Sequence, residues 1–138
     1  MKLTNTTRAV ALGLALIAGT AAFAQAPAEH MQGSIRYVTG GIGKDESDAM
    51  KAMESNYSLS LTFAVQRDGK AEYLANVPVT IRDGKGNTVF SLDNDGPYLL
   101  VALPAGSYDV SASHGGQVKS HHVTVGSGHA DRVTFDWS

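Results

Sequence analysis

From Leu59 to the end of the chain, apolar side chains recur at every second position. Leu59, Leu61, Phe63 and Val65 form one such run, Val77, Val79 and Ile81 a second, and Tyr108, Val110 and Ala112 a third. A period of two turns one face of an extended segment toward an apolar environment and the other toward water, as in a half-buried strand. Clusters that favour tight turns separate the runs: Arg67-Asp68-Gly69-Lys70, Asp83-Gly84-Lys85-Gly86-Asn87, Asn94-Asp95-Gly96-Pro97, Pro104-Ala105-Gly106, His114-Gly115-Gly116 and Gly126-Ser127-Gly128. The expected strands, about seven, are Leu59–Val65, Tyr73–Asp83, Thr88–Leu92, Tyr98–Leu103, Tyr108–His114, Val118–Val125 and Arg132–Trp137. Short strands at this spacing predict an all-β fold, an antiparallel Greek-key sandwich occupying 59–138. Tyr98, Leu100, Tyr108 and Val110 are expected to face inward. Pro78 cannot donate a ladder hydrogen bond, so its strand is expected at an edge or bulged at that point.

Upstream of Leu59 the period changes. Met50, Met53 and Tyr57 recur at spacings of three and four, which predicts one short helix from about Lys44 to Ser55 with a single apolar stripe. Asp45, Glu46 and Asp48 crowd its first turn, where carboxylates meet the positive end of the helix dipole. The segment 33–58 is thus an extended and then helical approach to the sandwich, interrupted by Gly40-Gly41-Ile42-Gly43. Residues 25–32 show no apolar periodicity and are expected to form a flexible lead-in.

The first 24 residues have another character. Lys2 and Arg8 lie in a short polar stretch, an unbroken apolar run follows from Ala9 to Gly19, and Ala22-x-Ala24 supplies two small side chains before Gln25. That is the plan of a secretory signal peptide over 1–24, with cleavage expected between Ala24 and Gln25. The run is roughly half the ~20 apolar residues that a spanning helix needs. The expected location is therefore periplasmic or secreted, with no membrane span after cleavage. The sequence has no cysteine, so neither a disulfide nor a lipid on cysteine is available and the fold rests on packing.

Charge narrows the partners. Eleven Lys and Arg, two of them in the leader, stand against thirteen Asp and Glu, scattered along the chain. A mildly acidic domain without a basic stripe disfavours nucleic acid as a partner.

From Val77 onward the chain resembles the carboxypeptidase regulatory-like domain, a transthyretin-like β-sandwich found in exported bacterial proteins. The resemblance is carried by Asp95-Gly96-Pro97-Tyr98-Leu99-Leu100-Val101-Ala102-Leu103-Pro104-Ala105-Gly106-Ser107-Tyr108, preceded by Val77-x-Val79-x-Ile81-x-Asp83-x-x-Gly86, and covers about the last 60 residues. It implies a transthyretin-like sandwich and an accessory or binding role, without naming a ligand. The same fold includes a hydrolase of 5-hydroxyisourate, whose terminal Tyr-Arg-Gly-Ser motif is absent here: this chain ends Thr134-Phe135-Asp136-Trp137-Ser138.

Candidate chemistry centres on His114, His121, His122 and His129, late in the chain, with His30-Met31 as a more remote pair. Imidazoles suit zinc or copper, yet His121 and His122 are adjacent on a strand and must point to opposite faces. Solvated loop and edge histidines are the expected reading. Asp93 and Asp95 offer oxygen at loop spacing but lack the rest of a calcium loop and read as turn formers. Gly40-Gly41-Ile42-Gly43 lacks the Lys-Ser/Thr of a phosphate loop, and Asp45 and Glu46 would repel an anion. Asn56-Tyr57-Ser58 matches a glycosylation sequon, relevant only in a eukaryotic host. No nucleophile elbow is present. The expectation is an exported, non-catalytic accessory or binding module with a protein or glycan partner and no catalytic, cofactor or metal residues. A periplasmic zinc- or copper-handling protein using the late histidines, and an unrecognised hydrolase, are the alternatives.

Overall fold

The computed structural model describes residues 27–126 and 130–138; the expected signal peptide (1–24), its cleavage point and His129 lie outside the described residues. In chain order the elements are β1 (His30–Gln32), β2 (Ile35–Gly40), α1 (Lys44–Met53) with a closing 3-10 turn (Glu54–Asn56), β3 (Leu59–Arg67), β4 (Lys70–Tyr73), β5 (Val77–Asp83), β6 (Thr88–Asn94), β7 (Tyr98–Ala102), β8 (Gly106–His114), β9 (Gln117–Val125) and β10 (Asp131–Trp137). One sheet runs β1-β2-β7-β3-β10, with β4 paired to the far end of β3; the other runs β6-β5-β8-β9. Among the described residues the protein is an all-β sandwich with one α-helix ahead of β3.

Alternation decides the packing. Leu59, Leu61, Phe63 and Val65 of β3 meet Val77, Val79 and Ile81 of β5 and Tyr108, Val110 and Ala112 of β8 in one core, joined by Phe135 and Trp137 of β10. Burying that many large apolar side chains, each worth about 1.5–3 kcal/mol relative to exposure, holds the two sheets face to face without a disulfide. Side-chain hydrogen bonds close both flanks of the sandwich. The Gln32 amide pairs with both the N–H and the carbonyl of Ser91, at 2.8 and 2.7 Å, and the Trp137 indole donates to the Gln117 carbonyl at 3.1 Å. At the corner before β8 the Tyr108 hydroxyl donates to the Pro104 carbonyl at 2.7 Å.

Several sequence expectations are refined. The expected strand Tyr73–Asp83 is shorter, β5 starting only at Val77; Tyr73 instead closes β4, a strand the pattern did not predict, and Asn76, in left-handed conformation at φ 61°, lets the chain leave one sheet and enter the other. β5 is an interior strand rather than an edge, and its register shift lies between Ile81 and Arg82, not at Pro78. Pro78 is tolerated because the β5–β8 pairing begins only at Val79, so no ladder hydrogen bond is required of it. β10 pairs with β3 in parallel, the other pairs being antiparallel. The chain joins the sheet at His30, inside the expected lead-in 25–32.

The orientation of β7 is also corrected. Leu99 and Val101 enter the core between the sheets, while Tyr98 and Leu100 point to the opposite face. Leu99-Leu100-Val101 is apolar throughout because both faces of the sheet are covered there, so alternation could not select a face. Leu100 instead joins Val38, Met50 and Tyr57 in a second, smaller cluster beneath α1.

Candidate functional site

The outer face of the larger sheet can be followed row by row, since residues directly opposite each other share a face. Val38, Leu100, Ser60 and Arg132 form the first row, Gly40, Tyr98, Thr62 and Thr134 the second, and Tyr73, Ala64 and Asp136 the third. α1 lies over the β2–β7 side of the first row through Met50 and Met53, and Tyr57, just past the 3-10 turn, completes the cover. It leaves the β3 and β10 side open. The result is an open trough of about 530 Å³ whose floor is Ser60, Thr62, Ala64 and Thr134 and whose walls come from α1, β4 and β10.

One wall is aromatic. The Tyr73 and Tyr98 rings lie 5.6 Å apart at 46° to each other, with Tyr73 62% exposed. A hydrogen bond to Tyr98 holds the Tyr73 phenol above its ordinary pKa. Tyr98 is seated against the backbone of Gly41: a Cβ there would come within 2.1 Å of Tyr98 Cδ2. Only glycine gives both that approach and the left-handed φ of 97°.

The opposite wall is polar and paired. Arg132 reaches Glu54 Oε1 with Nη2 at 2.5 Å and Nε at 2.8 Å, and the Gln66 amide donates to Asp136 Oδ1 at 3.2 Å. Burial of the Glu54 carboxyl would by itself raise its pKa, but hydrogen bonds from Arg132 and Ser60, with the charges of Arg132 and Lys51, hold it below the usual range. Among the described residues the hydroxyls of Thr62 and Thr134 have no protein partner, leaving them to a ligand or to water.

The histidines are dispersed. His121 turns inward, edge-on to Phe135 with ring centroids 4.8 Å apart, while His122 turns outward with Nδ1 2.9 Å from Asp109 Oδ1. Adjacent strand residues thus take opposite faces, as their spacing requires. His114 lies at the hairpin end against Trp137, ring centroids 5.7 Å apart, and His30 packs on Tyr37. Among the described residues no three His, Asp or Glu side chains converge as a metal would require.

The two loops with candidate chemistry are internally satisfied. Glu46 Oε1 accepts from the Gly41 and Ile42 amides at 2.7 and 3.3 Å, so the helix's own carboxylate occupies the amides of the glycine loop. In the Asp93-Asn94-Asp95 turn, Asn94 is fully buried and donates to the Gly96 carbonyl at 2.5 Å, and Thr39 donates to Asp95 Oδ1 at 2.9 Å.

Sequence reasoning passed over the trough residues. The signal was Ser60, Thr62 and Ala64: small, mostly polar outward positions within an otherwise strongly apolar strand, matched by Thr134 on β10. Among the described residues no helix is long and apolar enough to cross a membrane. No protein-family model matches the chain, and no curated protein matches it in sequence.

Proposed function

We propose that this is an exported, non-catalytic accessory or binding module of carboxypeptidase regulatory-like, transthyretin-like type, whose binding surface is the trough on the outer face of the larger sheet. The observation that carries the reading is the half-covered face itself. A sheet packed on its inner side needs no second cover, yet α1 covers only part of the outer side and stands as a wall beside an exposed tyrosine and unpartnered hydroxyls. A concave surface that joins apolar contact to a few convergent polar groups is the usual form of a ligand site. The Glu54 carboxyl is held below the usual range by its pair with Arg132, the reverse of the raised pKa that a carboxyl general acid needs. The leader read in the sequence places the partner in the periplasm or outside the cell.

The test fills the trough. Thr62→Trp places an indole on its floor without entering the core between the sheets. The native chain and this variant, each immobilised, are exposed to fractionated periplasmic and envelope extract. Retention of one discrete component by the native chain and its loss by a variant with an unchanged melt is the expected result. Equal retention by both, or by neither, would remove the trough as the binding surface.

A further inference from the structure

Resting on that reading, we infer that the ligand of the trough is a neutral polyhydroxylated chain, an uncharged oligosaccharide, lying across β3 and β10 with one sugar face on Tyr73.

The charges that line the trough balance, which favours a neutral ligand over the charged classes. Lys51, Glu54, Arg132 and Asp136 all line the trough, so its formal charge sums to zero. Arg132 and Glu54 are already joined, and Asp136 already accepts from Gln66. An anionic ligand would have to draw Arg132 away from a carboxylate that is itself partly buried, and a cationic one would have to strip Glu54 of the same partner. Either exchange leaves a charge uncompensated. A neutral ligand meets this wall as a set of fixed donors and acceptors with no charge to displace.

The floor selects hydroxyls. The Thr62 and Thr134 side chains lie side by side in register on neighbouring strands, and each hydroxyl donates one hydrogen bond and accepts two. A sugar hydroxyl has the same dual capacity, so such a pair can bridge to adjacent hydroxyls of one pyranose. A peptide backbone brings its N–H and C=O groups at fixed separate positions and matches this floor less well.

The aromatic wall supplies the remaining element. The face of a pyranose carries C–H groups with slight positive charge, which rest favourably on the negative face of an aromatic ring. Tyr73 is exposed enough to offer such a face, and its contact with Tyr98, itself seated on Gly41, limits the rotamer freedom lost on binding. The trough also opens past Thr134 at the sheet edge formed by β10, so a chain longer than the trough can run out of it.

The experiment is a titration of the isotopically labelled native chain, followed by backbone amide shifts. One arm uses neutral oligomers of glucose and of N-acetylglucosamine, each six units long. A second uses a polyuronate oligomer of equal length, and a third an uncharged extended peptide. The expected result is saturable shifts at Thr62, Tyr73 and Thr134 with a neutral oligomer alone. That binding should weaken about tenfold or more in Tyr73→Ala, while Val118→Ala, on the other sheet, leaves it unchanged. Shifts at the same amides with the polyuronate or the peptide, and none with the neutral oligomers, would overturn the neutral-sugar assignment while leaving the trough as the binding surface. Saturable shifts confined to other surfaces would overturn both. Silence in every arm would overturn the neutral-sugar assignment, and the trough-filling variant then decides independently whether the trough binds anything.

Discussion

On the outer face of the larger sheet, β2 and β7 present Val38 and Leu100 to the helix, whereas the adjoining β3 and β10 present Ser60, Thr62 and Thr134 to an open trough. Both regions belong to one sheet, and both back onto the same core. They differ in what lies above them. Where α1 and its apolar stripe descend, the outward positions are apolar and closed; where the helix ends, they are small and hydroxylated. One face of one sheet thus divides into a part that serves stability and a part proposed above for recognition, and each part should answer differently to substitution.

The sharpest way to break this contrast is a charge. Leu100→Asp buries a carboxylate in the helix cluster, where Leu100 is 2% exposed, and should abolish the cooperative melt, as should Val79→Asp in the core between the sheets. Thr134→Asp in the open region should fold with a melt within a few degrees of the native one. A cooperative, native-like transition in Leu100→Asp would show that the helix does not seal that region. Truncation grades the same effect: Leu100→Ala should cost about 2–5 kcal/mol by denaturant unfolding, against about 0.5 kcal/mol or less for Thr134→Ala.

The seam between the regions comes next. Gly41→Ala combines a φ of 97° with a Cβ only 2.1 Å from Tyr98, and should cost roughly 1–3 kcal/mol while also weakening ligand capture, because Tyr98 must move. A neutral effect on both would detach the glycine loop from the trough.

On the covered side, burial and then the hydrogen bond to Glu29 raise the Tyr57 pKa from 10.0 to about 12. The folded state therefore holds the phenol proton more tightly than the unfolded chain. The contribution is whole below about pH 10 and is lost as pH rises through about 12. Tyr57→Phe should flatten that alkaline fall, and an unchanged slope would place its origin elsewhere.

The smallest effect belongs to the open side. Glu54 has a lowered pKa, so the contribution of its pair with Arg132 is present above the ordinary carboxylate pKa and lost as pH falls through the folded value. Arg132 is largely solvated, and Glu54→Gln should cost no more than about 1 kcal/mol. A larger loss would mean that the pair braces α1 and does more than line the trough.

Much of the fold was legible because its signals are local. Leu59 to Val65, Val77 to Ile81 and Tyr108 to Ala112 alternate strictly, and each enters the core as expected. The helix is similarly readable, since Met50 of its stripe is buried and Met53 packs beside it, although the α-helix ends at Met53 and Tyr57 joins the same cluster from beyond the 3-10 turn. β7 was less legible, because Leu99-Leu100-Val101 satisfies either face. The break at Leu74-Ala75-Asn76 was also missed: no glycine or proline marks it, and the left-handed turn rests on Asn76 alone. Of the trough only the small outward positions Ser60, Thr62 and Ala64 leave a local trace; its assembly could not be read, because Ser60, Tyr73, Tyr98 and Arg132 lie on four strands and no local pattern ties them together.

By itself the sequence determined most of the extended segments, the one short helix, most of the turns that separate them, and that His121 and His122 face apart. All of these follow from backbone sterics and side-chain period within a few residues. Only the tertiary structure decided that β10 returns beside β3 in parallel, that Leu100 lies under α1 rather than between the sheets, and that two threonines and two tyrosines share one trough. Those outcomes depend on which strands become neighbours, and pairing is a long-range choice made by burying apolar area across the whole chain.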